Sequence, residues 1–206
     1  MITLIDYKAG NLTSVRKAFT FLGQESVVTD DPSLVRDAEA LVLPGVGHFC
    51  TTERLATSGM RDAVTEAIER GVPFLGICVG MQWQFGGSTE APDTEGLGLF
   101  EGRCERFQTK LKVPHVGWNQ IRRSKEGEDS RLLAGVPDES FVYFTHSYRA
   151  PVVAGVAAVT TYDETFASCV ERENVFGVQF HPEKSGDTGL RILKNFCDYA
   201  SEWSAR

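Results

Sequence analysis

Through the first half of the chain, short wholly apolar runs alternate with stretches whose apolar residues recur every three or four positions. Residues 2–6 open apolar and end on Asp6, and residues 11–22 follow with Val15, Ala18, Phe19 and Leu22 at helical spacing. Gly23 supplies the stop. Residues 25–28 read as a second strand, after which Asp31-Pro32, a cap followed by a first-turn proline, opens a brief helix. Residues 40–43 form a third strand. A glycine-rich loop, Pro44-Gly45-Val46-Gly47, leads to helical sequence over 49–70, broken near Gly59 and closed by Gly71. Residues 74–77 are the fourth strand.

Strands that are apolar on both faces and alternate with helices predict a mostly parallel sheet covered on both sides. Past Leu99 the pattern changes. Runs at 99–107, 118–122, 141–148, 156–162, 167–171 and 176–180 follow one another with turns and little helix between them. That half predicts added antiparallel strands. Residues 122–131, highly charged around Gly127, read as a solvated loop or hairpin tip. A closing helix is expected over 187–203, apolar at Leu190, Leu193, Cys197 and Ala200. The expected fold class is therefore α/β: an open, mostly parallel sheet with helices on both faces and antiparallel strands added in the C-terminal half.

A chain of 206 residues is one domain's worth. Its 21 basic and 28 acidic side chains leave a formal charge of −7, which offers no global attraction to nucleic acid or anionic lipid. No apolar run approaches the roughly 20 residues that cross a bilayer, and no basic leader precedes Ile2, so a cytoplasmic protein without a membrane partner is expected. The five cysteines, at 50, 78, 104, 169 and 197, are odd in number and form no CxxC pair, against both a disulfide framework and a structural zinc. No phosphate-binding or dinucleotide-binding glycine motif occurs, and His48, His115, His146 and His181 do not fall at metal spacing. Neither cofactor nor metal is expected.

The sharpest feature is Gly76-Ile77-Cys78-Val79-Gly80-Met81-Gln82, a cysteine between two glycines where a buried strand meets a helix. It has the form of a nucleophile elbow with sulfur replacing the serine oxygen. Flanking residues without side chains allow close backbone approach, and unpaired N–H groups at the helix start favour a thiolate. The GxCxG pattern alone fits equally well a small buried filler. A thiol nucleophile needs a base, and the base needs a group that fixes its tautomer. Phe176-Gly177-Val178-Gln179-Phe180-His181-Pro182-Glu183 offers both, with His181 delivered to a strand end and Glu183 turned back toward it by Pro182. Sites in open α/β sheets sit at those ends. Oxyanion donors would come from the Val79 N–H and from Gly45, Val46 or Gly47.

With those residues in view, GxCxGMQ at 76–82 and His-Pro-Glu at 181–183 resemble the class I (triad) glutamine amidotransferases over essentially the whole chain. Further segments narrow the resemblance: Asp6-Tyr7 with Gly10-Asn11-Leu12, Pro44-Gly45-Val46-Gly47, Val113-Pro114-His115-Val116-Gly117-Trp118-Asn119, and Tyr143-Phe144-Thr145-His146-Ser147-Tyr148. Together they are similar to the glutaminase subunits of imidazole glycerol phosphate synthases. The resemblance implies a single flavodoxin-like domain over 1–206. It also implies hydrolysis of L-glutamine, with Cys78 as nucleophile, His181 as acid and base, and Glu183 orienting His181. The oxyanion would rest on Val79 and on the peptide of Val46 or Gly47, which the family reorients on activation. Gly45, Gln82, Glu90, Ser147 and Tyr148 would hold glutamine, although Glu90 reads equally as an exposed loop carboxylate. The implied partner is a separate (β/α)8 cyclase subunit in a heterodimer, met by Asn11, Trp118, Asn119, Tyr143, His146 and Lys184. Trp118 and Tyr143 also read as core aromatics and Lys184 as a solvated lysine. Lys8 and Thr145 depart from a usual glycine and valine.

Two other readings remain open at this point. One keeps the glutaminase but supplies a synthase acting on chorismate, whose subunits typically carry Pro-Gly-Pro-Gly at the third strand. The other is a non-enzymatic flavodoxin-like thiol sensor, which would need no His-x-Glu at a distant strand end.

Overall fold

The computed structural model describes residues 1–205. The first half runs β1 (Ile2–Ile5), α1 (Leu12–Phe21), β2 (Ser26–Thr29), α2 (Pro32–Arg36), β3 (Leu41–Gly45), α3 (Glu53–Thr57), α4 (Met60–Glu69), β4 (Phe74–Cys78) and α5 (Val79–Gln82). Local chemistry sets these boundaries. Asn11 accepts from Ser14 N–H at 3.4 Å to start α1, and Asp31 accepts from Ser33 N–H at 2.8 Å ahead of Pro32 to start α2. The rest comprises β5 (Gly87–Ser88), β6 (Ala91–Glu95), β7 (Glu105–Arg106), β8 (His115–Gln120), β9 (Arg122–Arg123), β10 (Phe141–His146), β11 (Tyr148–Arg149), β12 (Val156–Tyr162), β13 (Glu164–Arg172), β14 (Val175–Val178) and α6 (Gly186–Ser204).

One sheet organises the molecule, in the order β2-β1-β3-β4-β14-β13-β12-β9. The contacts of β1 with β2 and β3, and of β4 with β3 and β14, are parallel, and those from β14 out to β9 are antiparallel. This is the expected α/β sheet with late antiparallel strands. From β1 the chain steps outward to β2, then returns across β1 to β3 and on to β4. Right-handed crossovers therefore place α1 on one face and α2, α3 and α4 on the other. Accordingly α1 touches α6, while α2 and α3 touch α4. Large aromatics including Phe19, Phe74, Trp83, Phe85, Phe166, Phe176 and Phe196 fill the interior.

Three expectations need correction. The predicted strand over 99–107 shrinks to β7, because the N–H groups of Leu97, Leu99 and Phe100 bond back to Trp83 and Gln84 carbonyls instead of a neighbouring strand. The start of the Pro44 loop is still strand, since Pro44 and Gly45 lie in register with Ile77 and Cys78. The charged stretch near Gly127 is anchored: Arg122 and Arg123 form edge strand β9, and a Cβ on Gly127 would lie only 1.8 Å from Ala157 O. Among the described residues no helix is long and apolar enough to cross a membrane.

Candidate active site

Strand β4 ends on Cys78, which is 4% exposed and has φ 55° and ψ −109°, a conformation that costs a non-glycine residue free energy and recurs at functional turns. Its flanking glycines are a packing requirement. A Cβ on Gly80 would sit 2.0 Å from Leu43 O of β3, and one on Gly76 2.5 Å from Gly80 O. Only bare backbone lets the elbow lie this close to its neighbours. The following helix is α5, a single turn, so few aligned peptides stand behind the thiol and the expected help from a helix dipole is small.

β14 runs parallel beside β4, with Val178 opposite Ile77, and so carries His181 to the edge where Cys78 emerges. The His181 backbone is clamped, its N–H donating to Tyr143 O at 2.9 Å and its carbonyl accepting from Ser185 Oγ at 2.6 Å. Pro182 opens a 3-10 turn, Pro182–Lys184, which folds Glu183 back so that its Oε1 lies 2.9 Å from His181 Nδ1. His181 Nε2 is buried and has no hydrogen-bond partner among the described residues. Burial pushes the imidazole toward its neutral form, but adjoining Cys78 and Glu183 outweigh it and raise its pKa to about 10.

A cleft of about 250 Å³ opens over these groups. Val46, Gly47, Cys78, Val79, Gln82, Glu90, Ser147, Tyr148 and His181 line it. Gly45 lies just behind, paired with Cys78, and Glu183 behind His181. Glu90 is no free loop carboxylate: the β5 and β6 hairpin carries it to the cleft, where its Oε2 accepts from Phe49 N–H at 2.8 Å. Gln82 donates through Nε2 to Tyr148 O and to Gln179 Oε1, both at 3.0 Å.

Sequence reasoning passed over two residues. Gln179 is fully buried, and its Nε2 lies 3.6 Å from Cys78 Sγ, within reach of a sulfur acceptor. A polar side chain in an otherwise apolar strand was the available signal. Tyr7 is 4% exposed, its hydroxyl has no hydrogen-bond partner among the described residues, and a Cβ on Gly45 would lie 2.8 Å from it. Burial, and then the charge of nearby Cys78, hold its phenol well above the ordinary range. Lys8 has φ 64°, which accounts for a usual glycine there, and its ammonium meets Asp30 at 2.8 Å and Asp6 at 3.1 Å.

The residues expected at a partner face divide. Trp118, 55% exposed, meets Tyr143 edge-on at 6.1 Å, and the Lys184 ammonium lies 5.9 Å from the Tyr143 ring. Exposed Val116 and Phe141 share that face of the β8 and β10 ribbon. His146 does not belong there. Val142, Phe144 and His146 alternate inward along β10, so His146 is 6% exposed and faces the cleft. Asn119 is half-buried with its amide turned to Thr161 O, and Asn11 caps α1. Among the described residues no group of three or more His, Cys, Asp or Glu could hold a metal ion.

Residues 3–199 match the model of the family described as Glutamine amidotransferase class-I, and the chain belongs to that family. Over 199 residues it is 45% identical to the imidazole glycerol phosphate synthase subunit HisH of Methanothermobacter thermautotrophicus, a match covering 96% of this chain and 98% of that one. The same subunit of Thermococcus kodakarensis is 46% identical over 203 residues, covering 95% and 98%. Within the class, its place is among the HisH subunits. Solved structures agree in fold: a crystal structure of a glutamine amidotransferase superposes with TM-score 0.77 at 20% identity over 98% of this chain and 100% of the other. The structure of PurLQS from Thermotoga maritima gives 0.72 at 19% identity, covering 96% and 97%.

Proposed function

We propose that the chain is the glutaminase subunit of an imidazole glycerol phosphate synthase. It hydrolyses L-glutamine to glutamate and ammonia and passes the ammonia to a separate (β/α)8 cyclase subunit, its partner in a cytoplasmic heterodimer. That partner makes imidazole glycerol phosphate and aminoimidazole carboxamide ribotide for histidine biosynthesis. The observation that carries the chemistry is the convergence on one cleft of Cys78, on its positive-φ elbow, and His181 with Nδ1 held by Glu183.

Cys78 Sγ, its proton already held on His181 Nε2, attacks the side-chain amide carbon, forming the S–C bond and an oxyanion. Val79 N–H and the peptide between Val46 and Gly47 receive that charge; each such donor is worth about 3–4 kcal/mol in a dry site. His181 then gives its proton to the departing nitrogen, the C–N bond breaks and ammonia leaves. Water activated by His181 cleaves the thioester, releasing glutamate and the free thiol. The Glu183 carboxylate keeps a proton on His181 Nδ1 and stabilises the imidazolium. Glu90, Ser147 and Tyr148 hold the far end of glutamine, and Gln179 orients the thiol.

Ammonia in neutral water is mostly protonated and no longer nucleophilic, so it has to be consumed where it is formed. The exposed Val116, Trp118 and Phe141, with half-buried Tyr143 beside them, border the cleft through Thr145 and Pro114 and favour a partner seated there. The test is glutamine-dependent formation of imidazole glycerol phosphate on mixing the chain with a purified cyclase subunit. Product is expected with the native chain and none with Cys78→Ala. Stimulation only by a chorismate-utilising synthase would overturn the pathway assignment.

A further inference from the structure

Two buried histidines beside the cleft have their proton positions dictated by their neighbours. His146 Nδ1 lies 2.8 Å from Tyr148 O, His115 Nδ1 lies 3.1 Å from His146 Nε2, and Asn119 Nδ2 lies 3.3 Å from His115 Nε2. A carbonyl oxygen only accepts, so His146 carries its proton on Nδ1 and offers a lone pair at Nε2. His115 must then donate from Nδ1, which leaves its own Nε2 to accept. The atom facing that nitrogen is an amide nitrogen, which only donates. Asn119 is oriented separately: its Oδ1 accepts from Gln120 N–H at 2.8 Å, and its Nδ2 also donates to Thr161 O at 3.0 Å. The direction read from the Tyr148 end and the direction read from the Asn119 end agree.

The rings have little freedom to turn. His115 is stacked between Phe144 and Tyr162, with centroids at 4.9 and 4.1 Å, and His146 packs against Phe107 and Phe166 at 5.2 and 5.0 Å. Their exposures are 2% and 6%. In this apolar casing burial pushes both imidazoles down, to about 4 for His115 and about 3 for His146. Tyr148 O also accepts from Gln82 Nε2, so the carbonyl beyond Ser147 is gripped from two separate elements.

We propose that His115 and His146 are positioning residues: a one-way hydrogen-bond chain from Asn119 to Tyr148 O fixes the cleft wall of Ser147 and Tyr148 and thereby sets substrate affinity. The inference rests on reading the cleft as the glutamine site. The same two strands, β8 and β10, carry the exposed Trp118 and the half-buried Tyr143, so the wall is tied to the strands a partner would grip.

The test uses the full chain in complex with its cyclase partner. His115→Phe keeps an aromatic ring but removes the donor to His146. The KM for glutamine rises about tenfold, equivalent to about 1.4 kcal/mol, with a smaller change in kcat. His146→Leu does the same, while His146→Asn, whose amide can replace the Nδ1 donor, retains most of the affinity. Imidazole nitrogen-15 shifts of the native chain, a readout independent of turnover, show both rings neutral with the proton on Nδ1 at pH 7. A proton on Nε2 of either ring, or unchanged KM in both His115→Phe and His146→Leu, would overturn the proposal. Absence of glutamine turnover by the native complex counts instead against the glutaminase reading, since the tautomers are judged from the spectrum alone.

Discussion

Gly80→Ala places one methyl group where β3 leaves no room for it. The new Cβ would lie 2.0 Å from Leu43 O and 3.0 Å from Leu43 C, both backbone atoms of a central strand that is paired on each side. Relief to an ordinary contact of 3.4 Å requires the elbow or the strand to retreat by about 1.4 Å. A displacement of about 1 Å at reacting groups costs about 100-fold in rate, and overpacking a core costs about 1–3 kcal/mol. The expected variant is folded, less stable by that amount, and slower in glutamine hydrolysis by at least two orders of magnitude. Glutaminase assays in the partner complex and urea unfolding measure the two effects. Gly98→Ala serves as the comparison: its φ is +68° but no atom of the described residues lies within 4 Å of the added Cβ, so it loses about 1–2 kcal/mol of stability and keeps its turnover. Full turnover by Gly80→Ala would refute the claim that bare backbone at the elbow aims the thiol.

Glu183→Gln removes the anion that holds His181 Nδ1, so the imidazole, raised to about 10 in the native site, becomes easier to deprotonate; an NMR titration showing no fall would contradict the assigned contact. Acid should destabilise the fold through His115 and His146. Their folded pKa values of about 4 and about 3 lie below the unfolded value, so the folded chain binds fewer protons in that window. Stability is lost as pH falls from about 6.5 toward 4, by about 1.4 kcal/mol per unit for each ring. His181, raised rather than depressed, adds no slope there. Urea unfolding between pH 7 and 5 should show a shallower loss for His146→Asn, and an identical loss would count against a neutral His146. Trp118→Ala should weaken partner binding by about 2 kcal/mol, roughly 30-fold in Kd, as expected for a central tryptophan. Calorimetric titration with the cyclase would record it, and unchanged affinity would move the docking face elsewhere.

The parallel half of the fold was legible because β1, β3 and β4 are buried along their whole length and α1 and α2 open on the side-chain caps Asn11 and Asp31. The stretch 99–107 misled because its apolar residues are buried by loop packing. Burial without a neighbouring strand looks the same in sequence as burial within one. The triad was legible because both halves carry local turn chemistry, the flanking glycines of Cys78 and the proline after His181. The hydrogen bonds that orient these groups were not, since Gln179 meets Cys78 across 101 positions and His115 meets His146 across 31. His146 could have been placed correctly. Alternation along β10 puts it on the same side as Phe144, away from Tyr143, so the period of two, not the motif it shares with Tyr143, decides its face.

Of the five thiols, Cys78 alone does the chemistry. Incubating the partner complex with glutamine, quenching in acid and mapping peptides by mass spectrometry reads this directly. A glutamyl thioester on Cys78 alone is expected, with exposed Cys50 unmodified as an internal control for indiscriminate reaction. A thioester on any other cysteine, or none during steady turnover, would contradict the account.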